Sequence, residues 1–271
     1  MAGLCRRAGM SRQNYYACRR ARQRREVDKA FLLERVRRER RLQPRIGCRK
    51  LLWLLGKELA DHQVRVGRDC FFGIMRAAGM LVERKPVRAR TTNSRHSLPV
   101  FHNLMTGAKL EGPNEAWVSD LTYIRTEEGF LYASVITDAY SRKIVGSNVG
   151  DNLEAEGCLS ALEEALGTLP KDKQPIHHSD RGCQYCCHEY VERLQSRGLR
   201  ISMTEVMHCY ENALAERVNG ILKQEYELDR TFRTKVQAKA AFRQAVWLYN
   251  NKRPHLSSGY KFPAEVHAQA A

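Results

Sequence analysis

The sequence lacks any uninterrupted apolar run of the roughly 18 residues that a membrane-spanning helix requires. Its opening residues, MAGLCRRAGM, contain no apolar segment long enough for a secretory signal. It has no glycine-rich loop of the Walker type, so ATP hydrolysis is not indicated. The nine cysteines are odd in number and irregular in spacing, which argues against a secreted disulfide framework. We therefore expect a soluble, cytoplasmic protein with no membrane partner.

Acidic residues are scarce in the first part of the chain. Residues 1–110 hold 27 Lys and Arg against 8 Asp and Glu, whereas residues 111–271 hold 19 against 22. The formal net charge of +16 therefore arises wholly from the N-terminal part. A basic excess concentrated in one region is typical of proteins that bind a polyanion such as nucleic acid. The remaining part is expected to have a different task.

The basic part has the pattern of a small helical domain. We assign residues 1–82 to a basic, helical DNA-binding region. A short helix is predicted to begin after Ser11, and three further helices are predicted near residues 28–41, 48–60 and 66–78.

The last two of these predicted helices are joined by a short turn. Two helices joined in this way in a basic context suggest a helix-turn-helix-like domain within about residues 28–80. An ordinary helical bundle with a basic surface would have the same pattern, so the sequence leaves both interpretations open. The candidate DNA contacts of the second helix are Arg65, Arg68 and Arg76.

The rest of the chain changes from helical to mixed periodicity. Residues 83–112 are polar and aperiodic, so we assign them to a basic linker. Residues 113–230 contain three predicted strands, followed by helix, strand, helix, strand and helix. This order is that of an α/β, ribonuclease-H-like core, in which a mixed five-stranded sheet is flanked by helices and the first and fourth strands are neighbours. Residues 231–271 are assigned to a C-terminal helical extension.

Three acidic residues occupy chemically informative places. Asp120 lies inside the predicted strand WVSDLTYI, where aspartate is normally depleted. Asp180 follows the fourth predicted strand, and Glu216 lies in a helix predicted to begin at the N-cap residue Asn212. Mg²⁺ prefers carboxylate oxygens, and two such ions can clamp the attacking and leaving oxygens of a phosphodiester. The three acids are therefore candidate metal ligands and catalytic residues, whereas Asp138 is assigned to hydrogen bonds at a strand end.

Five ordered blocks of the sequence carry a family resemblance: WVSDLTYI, LYASVITDAYSRKIVG, HHSDRGCQY, ENALAERVNGILKQE and YNNKRPHLSSGY. They resemble the OrfB transposases of the IS-three family of bacterial insertion sequences, closely over about residues 100–265. Asp120, Asp180 and Glu216, with 35 residues between the last two, are similar to the Asp-Asp-Glu triad of integrase-type transposases. The sequence departs from the family pattern at Glu211, where Asp is usual.

The resemblance implies a bacterial enzyme of the DDE transposase and integrase class. Such an enzyme cuts DNA at the ends of its insertion sequence and joins those ends to target DNA, using two Mg²⁺ ions that Mn²⁺ can replace. Double-stranded DNA, carrying the terminal inverted repeats or the target site, is the implied partner, with a homo-oligomer assembled on it. An OrfA protein, separate or fused, is a further candidate partner. The alternative is an inactive or domesticated relative that only binds DNA and regulates.

Three other features stay open at the level of sequence. Lys223 lies seven residues, or two helical turns, after Glu216; it belongs to a surface charge pattern or, as the resemblance implies, contacts DNA near its reactive end. His178, two residues before Asp180, is a candidate to line the site and steer the scissile phosphate. The Cys183–His188 cluster resembles a zinc knuckle, but it lacks a second Cys/His pair at structural-zinc spacing, so we expect small buried side chains there instead.

Overall fold

The computed structural model describes residue 5 and residues 7–83, 98–205 and 212–269. The chain divides into two compact units, Met1–Glu83 and Arg84–Ala271. Residues 84–97, which form half of the predicted linker, lie outside the described residues, as does Glu211. Within the described ranges, no helix combines the length and the apolar content needed to cross a bilayer.

Three helices of the first unit lie wholly within the described residues: α1 (Arg12–Leu42), α2 (Cys48–Asp61) and α3 (Arg68–Ala77). The helix prediction was wrong for α1, which is one continuous helix of 31 residues instead of two separate segments. Its sequence contains neither Gly nor Pro, so nothing in the backbone interrupts it. The predicted start is confirmed, because Ser11 Oγ accepts a hydrogen bond from the N–H of Asn14 at 3.0 Å.

Only the second half of α1 contributes to the core of this unit. Residues 16–27 are all exposed, and the first fully buried side chain of α1 is Leu32. The leucine stripe of α2 and one face of α3 complete a small apolar core, because each helix buries side chains at three- and four-residue spacing. The core comprises Leu32, Val36, Ile46, Cys48, Leu51, Leu55, Leu59, Val64, Phe71 and Met75.

The second unit is a mixed sheet with helices on both faces. Its strands are β1 (Ala116–Thr126), β2 (Gly129–Asp138), β3 (Ile144–Gly150), β4 (Ile176–Ser179), β5 (Arg200–Met203) and β6 (Thr231–Phe232). Its helices are α4 (Ala155–Thr168), α5 (Cys183–Cys186), α6 (His188–Ser196), α7 (Ala213–Glu225), α8 (Lys235–Asn251) and α9 (Pro263–Gln269).

The strand order is β3-β2-β1-β4-β5, so the first and fourth strands are neighbours as predicted. β1 is antiparallel to β2 and parallel to β4, which makes the sheet mixed. The sequence did not predict β6, which has two residues and pairs with the end of β1, because so short a strand has no detectable periodicity. β1 therefore lies at the centre of the sheet, and Asp120, which is part of β1, lies there too.

Helices cover the two faces of the sheet with separate apolar clusters. On one face, Trp117 packs with residues of α4 and α6, including Leu162 and Tyr190. On the other face, Ile124 and Val135 pack with residues of α7 and α8, including Leu222 and Phe242. Each cluster removes large aliphatic and aromatic side chains from water, which is the main favourable contribution to folding. The helix that carries Glu216 is thus fixed to the sheet by its own apolar face.

The contact of α4 with β3 depends on Gly146. A Cβ built at this position would lie 2.1 Å from the carbonyl oxygen of Ala161 and 2.9 Å from Ala165 Cβ. We therefore expect Gly146→Ala to destabilise the fold by about 1–3 kcal/mol, because the backbone of α4 would have to move. The control, Gly167→Ala at the end of the same helix, meets no atom within 4 Å and should be neutral or stabilising by about 0.5–1 kcal/mol. Urea denaturation measures both, and equal stabilities would contradict the close packing.

Candidate active site

Asp120 and Asp180 are brought together by the pairing of two parallel strands. Val118 of β1 pairs with His178 of β4, and the same register continued by two residues puts Asp120 level with Asp180. Asp180 directly follows β4, at the carboxyl end of the strand, which is where ligands of α/β sheets commonly bind. Its Oδ1 accepts a hydrogen bond from the N–H of Gly182 at 3.0 Å.

The Asp120 carboxyl group lies in an environment that disfavours its charge. Burial, together with the nearby charges of Asp180 and Glu216, raises the pKa of Asp120 to about 7. Two hydrogen bonds act in the opposite direction: Asn219 Nδ2 donates to Oδ2 at 2.9 Å, and the N–H of Leu121 donates to Oδ1 at 2.9 Å. Because the net shift of the Asp120 pKa is upward, the loss of hydration and the repulsion by the other acids have a larger effect than the two hydrogen bonds.

Glu216 is the third acid of this neighbourhood. It lies on the first turn of α7, and its side chain is exposed. Partial loss of hydration at the carboxyl group and, second, the charge of Asp180 raise the pKa of Glu216. The three acids predicted from sequence are therefore close enough to influence one another's ionisation, although they come from a strand, a strand end and a helix.

The carboxyl groups are coupled without forming a compact cluster. Among the described residues, no three His, Cys, Asp or Glu side chains are grouped closely enough to hold a metal ion as they stand. Like charges repel, and two of these acids have hydrogen-bond donors of their own, Asn219 for Asp120 and Gly182 for Asp180. The Oδ1 atom of Asn219 is buried and has no hydrogen-bond partner in the described part of the chain. An unsatisfied acceptor beside three acids suits a hydrated cation.

Both ends of α7 are attached to other elements. Asn212 holds the N-cap position, but its side chain makes no capping bond, which corrects the prediction. Its Nδ2 instead donates to the carbonyl oxygen of Ser119, the residue before Asp120, at 3.0 Å. At the other end, Glu225 accepts two hydrogen bonds of 2.8 Å from Arg253, whose side chain is 3% exposed. A buried bidentate ion pair of this kind sets the orientation of both side chains and also compensates their charges.

Sequence reasoning missed the two side chains that hold this helix to its surroundings, Asn219 and Arg253. Arg253 belongs to the block YNNKRPHLSSGY, which was singled out for its resemblance but given no physical role. Its Nη1 also lies 2.8 Å from His255 Nε2. The sequence signal was an arginine beside Lys252 in a polar, turn-forming block, and its partner 28 residues away could not be identified from spacing.

The predicted DNA contacts close to the acids have different environments. Lys223 is half-buried, and its Nζ lies 5.4 Å from the centre of the Tyr123 ring. His178 is fully buried, with Nδ1 2.8 Å from Ser202 Oγ, so its imidazole does not reach the surface in this structure. A role in steering phosphate would require His178 to move. Both assignments stay predictions.

The three predicted DNA-contact arginines of the first unit are exposed. Arg68 and Arg76 lie on α3, whereas Arg65 lies in the turn before it, so the assignment of Arg65 to the second helix was wrong. Arg68 pairs with its neighbour Asp69 through a contact of 2.9 Å. Their contact with DNA and the helix-turn-helix itself stay predictions.

The other singled-out side chains make local contacts. Asp138 is buried and accepts hydrogen bonds from the N–H groups of Asn114 and Ser141 and from Ser141 Oγ, so its assignment to strand-end bonding is confirmed. The expectation of buried side chains in the cysteine cluster holds for Cys186 only, because Cys183 is exposed and Cys187 is half-buried. Cys186 Sγ lies 3.7 Å from Met203 Sδ, and burial raises the pKa of its thiol to about 11.

Comparison with known proteins shows the family to which the chain is similar. Models of the integrase core domain match residues 111–209 and 197–263. A 31 kDa protein of insertion element IS600 from Shigella sonnei is 34% identical over 96% of this chain and 96% of its own length. The transposase of IS629, also from Shigella sonnei, is 32% identical over 81% of this chain and 73% of its own length. Transposase InsF of IS3A from Escherichia coli is 39% identical over 48% of this chain and 46% of its own length.

The fold has known structural relatives as well. The chain resembles a simian T-cell lymphotropic virus intasome, solved with the PP2A regulatory subunit B56 gamma, with a TM-score of 0.50 and 18% identity, covering 82% of this chain and 70% of that one. The ribonuclease-H-like integrase fold predicted from sequence is therefore confirmed. The chain belongs to the IS3 family of insertion-sequence transposases with an integrase core domain. The prediction of an enzyme of the transposase and integrase class is confirmed with it.

The raised pKa of Asp120 predicts a dependence of stability on pH. An ionised Asp120 destabilises the folded state, and this loss grows as the pH rises from about 4, the pKa in the unfolded chain, to about 7. Asp120→Asn keeps an acceptor for Asn219 and removes the charge. Without divalent cations, its gain over the wild type in free energy of unfolding should be larger at pH 8 than at pH 5, by on the order of 2 kcal/mol.

Urea denaturation at the two pH values measures this difference. The control, Asp172→Asn, removes a carboxylate from an exposed position and should change stability by less than about 0.5 kcal/mol at either pH. A gain for Asp120→Asn that is the same at pH 5 and pH 8 would contradict the raised pKa.

Proposed function

We propose that this transposase cleaves DNA at the ends of its insertion sequence and joins those ends to target DNA, in a Mg²⁺-dependent reaction at Asp120, Asp180 and Glu216. The observation that carries the proposal is the electrostatic coupling of these acids at the carboxyl end of β4. A protein keeps mutually repelling carboxyl groups together at a cost in stability, and a functional site is the common reason.

The side chains present fit divalent metal ions. Asp120, Asp180 and Glu216 would supply hard oxygen ligands of the kind that Mg²⁺ and Mn²⁺ accept. Two such ions, when bound, lower the pKa of an attacking water or 3′-hydroxyl and stabilise the leaving 3′-oxygen. The positive charge would also favour the ionised form of Asp120, whose pKa is raised without it.

The surrounding residues of the chain would position these acids. Asn219 orients the Asp120 carboxylate by its hydrogen bond, and the N–H of Gly182 orients that of Asp180. Asn212 and Arg253 hold the two ends of α7, so Glu216 approaches from a fixed direction. A rigid frame of this kind reduces the entropy lost when substrate and ligands are aligned. We assign these residues a positioning role, whereas the three acids contact the metal.

Duplex DNA is the proposed partner, as the names of the transposase relatives suggest. A homo-oligomer assembled on the two ends of the element would bring them together for joining. Lys223, two turns after Glu216 on α7, is proposed to contact a phosphate near the reacting end. Arg65, Arg68 and Arg76 are proposed contacts of the first unit, and OrfA remains a proposed additional partner.

Substitution of the acids tests the proposal. Asp120→Asn, Asp180→Asn and Glu216→Gln should each reduce Mg²⁺-dependent cleavage and joining by at least about 1,000-fold, because each removes a metal ligand. Binding to labelled duplex that carries the element ends should change by less than about threefold, since the folds and basic surfaces are kept. Products are measured on denaturing gels and binding by fluorescence anisotropy.

Two matched controls and the wild type complete this experiment. Asp172→Asn and Glu189→Gln remove carboxylates from exposed positions and should retain wild-type activity. Substantial Mg²⁺-dependent joining by any one of the three active-site variants would contradict its assignment. A wild-type protein that binds the ends and gives no product with Mg²⁺ or Mn²⁺ would favour the alternative of a DNA-binding regulator.

A further inference from the structure

The first half of α1 buries none of its side chains between residues 16 and 27. All twelve residues from Tyr16 to Val27 are exposed, and even the apolar Val27 is 63% exposed. At about 1.5 Å per residue, this segment is about 18 Å long. We name residues 16–27 the basic arm. Most helices in proteins are stabilised by packing of an apolar face, and the described residues provide none for this segment.

The charges of the basic arm are of one sign and surround the helix. It contains five arginines and a single acid, Glu26. At about 100° per residue, the arginines point in directions spread around the whole circumference instead of forming one stripe. Like charges on neighbouring turns destabilise an isolated helix, so an anionic partner would stabilise the segment. The arginines are Arg19, Arg20, Arg22, Arg24 and Arg25.

This distribution discriminates between classes of partner. A partner helix would need an apolar stripe at heptad spacing, and a membrane surface would need one apolar face, but the arm has neither. An acidic protein surface would contact one side of the helix only. The major groove of DNA, about 12 Å wide, admits a helix and places phosphates along both of its sides. Arginines around the circumference match that geometry.

We infer that the basic arm binds in the major groove of duplex DNA, with its arginines contacting phosphates of both strands. This inference rests on the proposed function, since it assumes a DNA substrate, and it adds a binding element separate from Arg65, Arg68 and Arg76. Contacts to phosphates carry no sequence information, so the arm increases affinity equally for element ends and for unrelated duplexes. Recognition of the end sequence is left to other residues.

The test compares two triple variants of the full chain. In the first, Arg19, Arg20 and Arg22 are replaced by Gln, which keeps a high helix propensity and removes three charges. In the second, the same residues are replaced by Lys, which keeps the charges. Affinity for a 30-base-pair duplex is measured between about 50 and 200 mM NaCl, because the slope of log K against log salt counts the neutralised phosphates.

For the Gln variant, the slope of log K against log salt concentration should become shallower by about 2–3. Its affinity for the duplex at about 0.1 M salt should fall roughly 10- to 500-fold. The Lys variant should keep the wild-type slope within about 1. Both effects should be the same for element ends and for a scrambled duplex. An unchanged slope for the Gln variant would overturn the inference.

Hydrogen exchange of the wild type provides a second measurement that requires no variant. Amides of residues 16–27 should exchange rapidly in the free protein and become protected by the duplex. An equally long double-stranded RNA should protect them less, because its major groove is too deep and narrow for a helix. If residues 16–27 stay unprotected when DNA is bound, or if RNA protects them equally, the inference is overturned.

Two further outcomes separate this inference from the proposed function. If the wild-type protein joins DNA while the basic arm stays unprotected, only the inference about the arm is refuted. If the protein does not bind DNA at all, the proposed function itself is refuted.

Discussion

Three carboxyl groups at one end of the sheet repel one another, and the rest of the second unit has to hold them together against this repulsion. Asp120 is held in the central strand, where burial and the neighbouring acids raise its pKa to about 7. Left to themselves, such groups would move apart or take up protons. The fold holds them through a parallel strand pair and a helix fastened at both ends, so the stability needed to oppose the repulsion comes from packing far from the acids.

The supports of the site lie on both sides of the sheet. Behind Asp120, Ser119 Oγ and Tyr190 OH lie 2.8 and 2.9 Å from Nε2 of His177, which burial keeps neutral by lowering its pKa to about 3. In front, α7 is bonded to β1 through Asn212 and Asn219. The two sets of bonds fix the strand that carries Asp120 from opposite faces. Rigid support of this kind suits the metal site that we propose.

The sequence was sufficient for the adjacency of β1 and β4 and thus for the proximity of Asp120 and Asp180, because the element order is that of a ribonuclease-H-like fold, in which these strands are neighbours. It was not sufficient for the bonds between distant residues. Asn219 reaches Asp120 across 99 positions and Arg253 reaches Glu225 across 28, and only tertiary packing selects such partners. The continuity of α1 was missed for another reason: polarity of its first half suggested an interruption, although no residue there breaks a helix.

Anomalous diffraction from crystals of the protein grown with Mn²⁺ tests the central claim most directly, since it locates metal ions without reference to activity. Ions held by oxygen ligands should be found within about 2.0–2.3 Å of carboxylate oxygens of Asp120 and Asp180, with Glu216 oriented toward them. The three carboxyl groups would then lie closer together than in the structure described above. Ordered Mn²⁺ bound only elsewhere, with these three carboxyl groups unchanged, would contradict the claim that they form a metal site.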